Sequence, residues 1–196
     1  MSIVFGGINV RTLYLLLTRS GTLLSHAIHA LTGDIYTHVS IGIDPQLRHF
    51  YSFARIFPEI PLPAGFVRET LDGGYFGRHR AMPCLLYGLD VDEAAFARVA
   101  ARLDEMCARA AEYRYSMLGL LLCRMDLAFE RERHFFCSQF VARLLVESGA
   151  VRLPKCAPLM RPMDFVDLPG ARLLYRGELD GAERAADTRR LEGGWA

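Results

Sequence analysis

Hydrophobic and polar positions alternate most regularly between residues 35 and 43. There Ile35, Thr37, Val39, Ile41 and Ile43 interleave with Tyr36, His38, Ser40 and Gly42. A two-residue period is that of a pleated strand, so one face carries the aliphatic row and the other presents His38 among small and polar neighbours. Asp44-Pro45-Gln46 predicts a turn, and Arg48 to Ile56 an antiparallel return. The turn length leaves the register open by one residue, so Tyr51, Ser52 or Phe53 stands opposite His38. Asn9 to Thr18, Met82 to Leu89 and Ala171 to Glu178 predict further strands.

Helical spacing dominates elsewhere. Asp90 or Asp92 caps a helix running to about Tyr113, with Phe96, Val99, Leu103, Met106, Cys107 and Ala110 as its buried face. Ser116 to Phe129 predicts a second apolar segment, helical or mixed, that contains Cys123. Phe140, Val141, Leu144 and Leu145 recur at three- and four-residue spacing after Cys137, and Gly149 supplies the left-handed residue on which helices stop. Cys137 lies four residues before Val141, so it shares that inward stripe and falls in the first turn. Leu23 to Leu31 predicts a short helix ended by Gly33, and it carries His26 and His29. Phe57 to Arg80, rich in Pro and Gly, reads as a long loop with one short strand near Phe66. Residues 1 to 178 form one domain in this reading, and residues 179 to 196 a loosely held tail.

Composition narrows the function classes. With 196 residues, 52% of them hydrophobic, the chain can bury a sizeable core. The net charge of +1 has both signs spread along the sequence, without the concentrated basic face that nucleic acid requires. Five cysteines without close pairs suit free thiols in a reducing compartment, which predicts a cytoplasmic protein. No apolar run reaches the ~20 residues of a membrane span, and the N-terminus lacks the pattern of a signal peptide. His26 and His29 have no carboxylate or cysteine beside them to complete a metal site. Nucleotide-binding glycine patterns are absent, so no cofactor is predicted.

The candidate chemistry centres on Cys137. Unpaired N–H groups and the macrodipole at a helix start favour a thiolate, and no Asp or Glu occurs between Cys137 and Glu147 to oppose it. A core cysteine in an amphipathic helix is the alternative, since free Cys is often buried. A thiol nucleophile needs a base. His38 on its strand is better placed for this than His134, which sits on the irregular approach to the Cys137 helix.

The segments Tyr36-Thr37-His38-Val39-Ser40-Ile41, Tyr51-Ser52-Phe53-Ala54-Arg55, Tyr113 to Leu120 and Phe136-Cys137-Ser138-Gln139-Phe140-Val141 together resemble the circularly permuted branch of the NlpC-type, papain-like cysteine hydrolases. Lecithin:retinol acyltransferase belongs to the same broad group. The likeness spans roughly residues 9 to 178 and rests on short motifs. In the permuted branch the histidine strand precedes the cysteine helix, as here.

The resemblance implies an α+β fold, with an antiparallel sheet of about five strands packed against helices and the catalytic cysteine at a helix N-terminus. It implies Cys137 as nucleophile, His38 as general base and a third polar residue on the following strand. This chain departs from the family there, offering Ser52, Tyr51 or His49 where His, Glu, Asn or Gln is usual. Ser52 is the first choice, being central in the return strand. The family's tyrosine near the site maps to Tyr115, as an oxyanion contact. The implied activity is a peptidase or amidase working through an acyl-enzyme on a peptide or amide substrate. Two alternatives stay open: an acyltransferase or thioesterase acting on acyl lipids, with an apolar groove from Phe57, Ile60, Leu62 and Phe66, and a non-catalytic binding domain.

Overall fold

Residues 10–19, 33–55, 64–182 and 184 are described by the computed structural model. Six strands build one antiparallel sheet: β1 (Val10–Thr18), β2 (His38–Gly42), β3 (Phe50–Arg55), β4 (Ala64–Glu69), β5 (Pro83–Asp92) and β8 (Ala171–Glu178), in the order β4-β3-β2-β1-β5-β8. The helices are α1 (Gly74–Arg78), α2 (Glu93–Ala108), α3 (Met117–Arg124) and α4 (Cys137–Glu147). A two-stranded parallel ribbon, β6 (Arg114–Tyr115) with β7 (His134–Phe135), completes the described elements. The class is α+β, with one strand more in the sheet than the about five that the resemblance implies.

The run Leu13-Tyr14-Leu15-Leu16-Leu17 explains why β1 is central. A strand buried on both faces reads as continuous apolar sequence. Leu13, Leu15 and Leu17 join Val39, Ile41, Leu85 and the inner faces of α2 and α4 in the larger core. Tyr14 and Leu16 point the other way, into a second cluster with Phe50, Phe76, Leu86, Leu174 and Leu179. In the larger core, Phe53 packs edge-on against Phe66, Tyr113 and Phe135, with centroids 5.3 to 6.2 Å apart. These geometries suit the aromatic quadrupole.

Several predicted elements shift. β2 begins at His38 rather than Ile35: Ile35 is exposed, and Thr37 ties the approach to β1, its N–H donating to the Thr18 carbonyl at 3.1 Å. The strand near Phe66 is a full member of the sheet, paired with β3 from Phe50↔Glu69 to Arg55↔Ala64. Phe66 is buried in the larger core, so it lines no surface groove; Phe57, Ile60 and Leu62 lie outside the described residues. Asp92, not Asp90, caps α2, accepting from the Ala95 N–H at 2.7 Å. Cys107, expected on the core stripe, is exposed. It sits in the last turn of α2, where Met106 takes the inward position.

α4 ends as expected, with Gly149 at φ +73°. Leu179 and Ala182, placed at the start of the tail, are fully packed, and Arg80 holds Asp180 at 2.5 Å. Residues 185–196 and the predicted helix with His26 and His29 lie outside the described residues. Among those described, no helix is long and apolar enough to cross a membrane.

Candidate active site

Two close approaches bring distant parts of the chain together at the start of α4. A Cβ on Gly65 would stand 2.7 Å from the Tyr113 carbonyl oxygen, so glycine there lets β4 lie against the segment entering β6. β6 and β7 then pair Tyr115 with Phe135, and the Ser116 N–H donates to the Phe135 carbonyl at 2.9 Å. The first turn of α3 leans on Phe136, the residue that opens α4: a Cβ on Gly119 would meet that ring at 3.5 Å. Gln139 Nε2 donates to the Phe129 carbonyl at 3.3 Å and pins the preceding loop over the same turn. Helix start, ribbon and sheet therefore share one locality.

His38 and Cys137 meet there, although 99 positions separate them in sequence. Cys137 is 4% exposed and the His38 side chain 15%. Hydrogen bonding links the sulfur to the imidazole, and the backbone N–H groups of Val39 and Ser138 also donate to the sulfur. Burial alone would push the thiol up. The His38 bond and charge, with the two N–H groups, outweigh it and hold Cys137 below the ordinary thiol value. Burial likewise lowers His38, yet the Glu69 carboxylate and the Cys137 sulfur raise it to about 10. Opposite shifts on two groups in contact favour the ion pair, with the proton on the ring, over the neutral thiol and imidazole.

Glu69 is the residue that the sequence reading missed. Its Oε2 stands 3.3 Å from His38 Nε2, and its side chain is only 14% exposed. With Nε2 facing the carboxylate, Nδ1 is the ring nitrogen left for the sulfur. Glu69 ends β4, the short strand that the sequence places near Phe66 within a long loop. The usable signal was the Phe66-Val67-Arg68-Glu69 stretch, which closes on an acid in strand register.

The expectation that Ser52 holds the ring is corrected. Ser52 is fully buried and its hydroxyl donates to the Val39 carbonyl at 2.8 Å, so it fastens β3 to β2 instead. Tyr51 pairs with Ile41 and stacks on Phe66, on the core side of the sheet. His49 is not among the groups acting on His38, and its Nδ1 is buried without a partner. His134 is occupied by its own turn, with Nδ1 2.8 Å from the Glu132 carbonyl.

Tyr115 lies within reach of the Cys137 charge. Burial first, then that charge, push its hydroxyl well above the ordinary phenol value, so it keeps its proton and can donate. The arrangement thus brings together a thiol biased toward its charged form, an imidazole biased toward its protonated form and a neutral phenol in a partly buried setting. Such a set can attack a carbonyl carbon and deliver a proton to the group that leaves. No cluster of three His, Cys, Asp or Glu side chains suited to a metal occurs among the described residues. The chain matches no family model, no curated protein and no solved structure.

Proposed function

We propose that the protein is a cysteine hydrolase of peptide or amide bonds, built as a circularly permuted papain-like domain with Cys137 at the head of α4. The observation that carries this reading is the sulfur–imidazole contact at a helix start, with Glu69 behind the ring. Cys137 Sγ attacks the carbonyl carbon, and its electron pair becomes the new C–S bond. The oxyanion accepts from the Cys137 N–H and the Tyr115 hydroxyl. His38 then gives its Nδ1 proton to the departing amine as the C–N bond breaks. Water enters next: His38 takes its proton, hydroxide adds to the thioester carbon, and the C–S bond cleaves to restore the thiolate. Glu69 acts as a positioning residue that keeps the ring oriented and charged. Five free cysteines fit a reducing compartment such as the cytoplasm.

A second reading, transfer or hydrolysis of acyl groups from lipids, draws on one specific observation. Met117, Leu118 and Leu121 on α3 and Met125 just after its end are 49 to 62% exposed, close behind Tyr115. Apolar side chains bunched on one exposed helix face often mark an interaction surface. Turnover of short model amides and of acyl thioesters by wild type, Cys137→Ala and His38→Ala tests both readings. Each variant loses turnover while its Tm stays within a few degrees of wild type. Full activity in Cys137→Ala would sink the proposal, and flotation on neutral vesicles together with thioester preference would favour the lipid reading.

A further inference from the structure

β2 meets its two neighbours unequally. It pairs with β1 along its whole length, from His38↔Thr18 to Gly42↔Tyr14, but with β3 at the single register position Ile41↔Tyr51. In an antiparallel ladder the N–H and C=O of one residue point to the same neighbour, and the neighbour alternates along the strand. The Arg19 N–H donates to the Pro83 carbonyl in the β1–β5 register, so Arg19 and Leu17 face β5 while Thr18 and Leu16 face β2. Their partners His38 and Ser40 then face β1, which turns Val39 and Ile41 toward β3. Ile41 finds Tyr51 there; Val39 would find Phe53, but the ladder does not reach it. Instead the Val39 carbonyl accepts from the Ser52 hydroxyl at 2.8 Å, and the Val39 N–H donates to the Cys137 sulfur. The sulfur takes the place that a carbonyl of β3 would fill.

A buried main-chain N–H needs an acceptor, and Val39 is fully buried. Before reaction the sulfur meets that need. Acylation ends it, because a sulfur bonded to two carbons is only a weak acceptor. The same step places negative charge on the substrate's carbonyl oxygen, which is separated from the sulfur by one carbon atom. The freed donor and the new acceptor therefore arise together. Tyr115 comes from the same direction: the β6 strand that carries it follows the close approach of Tyr113 to Gly65 of β4, on the β3 side of β2. Pairing with β1 at His38 and Ser40, on either side of Val39, fixes the direction of the N–H in advance.

We infer that the Val39 N–H is an oxyanion donor, alongside the Cys137 N–H and the Tyr115 hydroxyl. The inference rests on the hydrolase reading and deepens it. As Sγ adds to the substrate carbonyl, the sulfur electron pair becomes the C–S bond and the π pair of the C=O moves onto oxygen. The Val39 N–H exchanges one acceptor for the other and gives up no proton. When the C–N bond breaks, the oxygen pair re-forms the carbonyl of the thioester. Val39 then keeps that carbonyl polarised for the attack of water.

The experiment replaces Val39 in the full chain by its α-hydroxy acid analogue, which swaps the N–H for an ester oxygen and keeps the side chain. Turnover of a short model amide falls by about a hundredfold, the cost of one oxyanion donor. Alkylation by iodoacetamide, which develops no oxyanion, falls by less than about tenfold. The same ester at Ile41, two positions along β2, leaves both rates near wild type. Equal losses of turnover and alkylation, or the same loss from the ester at Ile41, would overturn the inference. A second measurement uses wild type and does not depend on the ester variant folding. N-acetyl-glycinal adds to Cys137 as a hemithioacetal: the C–S bond forms and the aldehyde oxygen takes the His38 proton. With NMR-active nitrogen in the valines, the Val39 amide proton stays downfield and protected from exchange in the adduct. An upfield move with loss of protection would overturn the inference and leave the hydrolase reading intact. No adduct and no turnover in wild type would remove the hydrolase reading itself, and this inference with it.

Discussion

Cys84 and Cys137 are both buried thiols, yet their surroundings drive them to opposite chemistry. Cys84 sits within β5 among Leu16, Leu86 and Leu174, where burial pushes its thiol up to about 12. Cys137 is nearly as enclosed but lies below the ordinary thiol value, because His38, the Val39 N–H and the Ser138 N–H all face the sulfur. Cys123 falls between them: burial raises it, and the Arg161 charge and hydrogen bond offset part of that rise. Burial therefore does not decide whether a cysteine is inert. The donors aimed at the sulfur decide it.

The sharpest way to break this contrast is to remove the ring. His38→Ala leaves Cys137 with burial and two N–H groups alone, and its alkylation rate at pH 7 drops by about a hundredfold. Site-resolved mass spectrometry reads that loss directly, with Cys84 as the unreactive control.

Removal of Glu69 has the next largest effect. The carboxylate is the main influence raising His38, so Glu69→Gln lowers the ring's pKa and moves the alkaline limb of the rate profile down from about 10. We expect kcat/KM to fall by about tenfold to a hundredfold, mostly in kcat, since the lost interaction orients the ring rather than the substrate.

Stability tracks the same charges. The raised His38 contributes stability that is full below about 6.5, its unfolded value, and lost as pH climbs to about 10. The lowered Cys137 contributes stability that is full above about 9, its unfolded value, and lost as pH falls through its depressed folded value. Above the folded Cys137 value, and between about 6.5 and 9, folded and unfolded pairs bind one proton each, so the two trends cancel in a plateau that ends near 9. In His38→Ala the plateau is lost, which a Tm series across pH measures.

Smaller effects test the corrected residues. Ser52→Ala strips the Val39 carbonyl of a buried donor, which costs about 1 to 3 kcal/mol of stability while Cys137 labelling stays near wild type. Cys107→Ser changes stability by less than about 0.5 kcal/mol, as expected of an exposed position away from packing. A large loss there would return Cys107 to the core stripe that its helical spacing predicts.

The legibility of these features in the sequence follows from the range of the forces that set them. Helical spacing identified α2 and α4, because one buried face per helix leaves a local imprint, and a continuous apolar run identified β1, which is buried on both faces. Asp92 shows the same for a cap, since its bond reaches only three residues ahead. The strand near Phe66 was legible, but Glu69 was missed because its role depends on where that strand ends and pairs, and on contact with a ring 31 positions earlier. Ser52 misled for the complementary reason: its place in the return strand was right, but its hydroxyl found a backbone carbonyl. The N–H of Val39 that faces the sulfur is invisible to any side-chain pattern, since every residue except proline carries one.

The most direct measurement is the pH dependence of iodoacetamide alkylation, followed separately at each of the five cysteines. Paired with an imidazolium, Cys137 reacts fully at neutral pH, with a midpoint well below ~8.5, while Cys84 stays silent until the protein unfolds. A Cys137 rate that rises only at or above ~8.5, or that is indifferent to His38→Ala, would contradict the account.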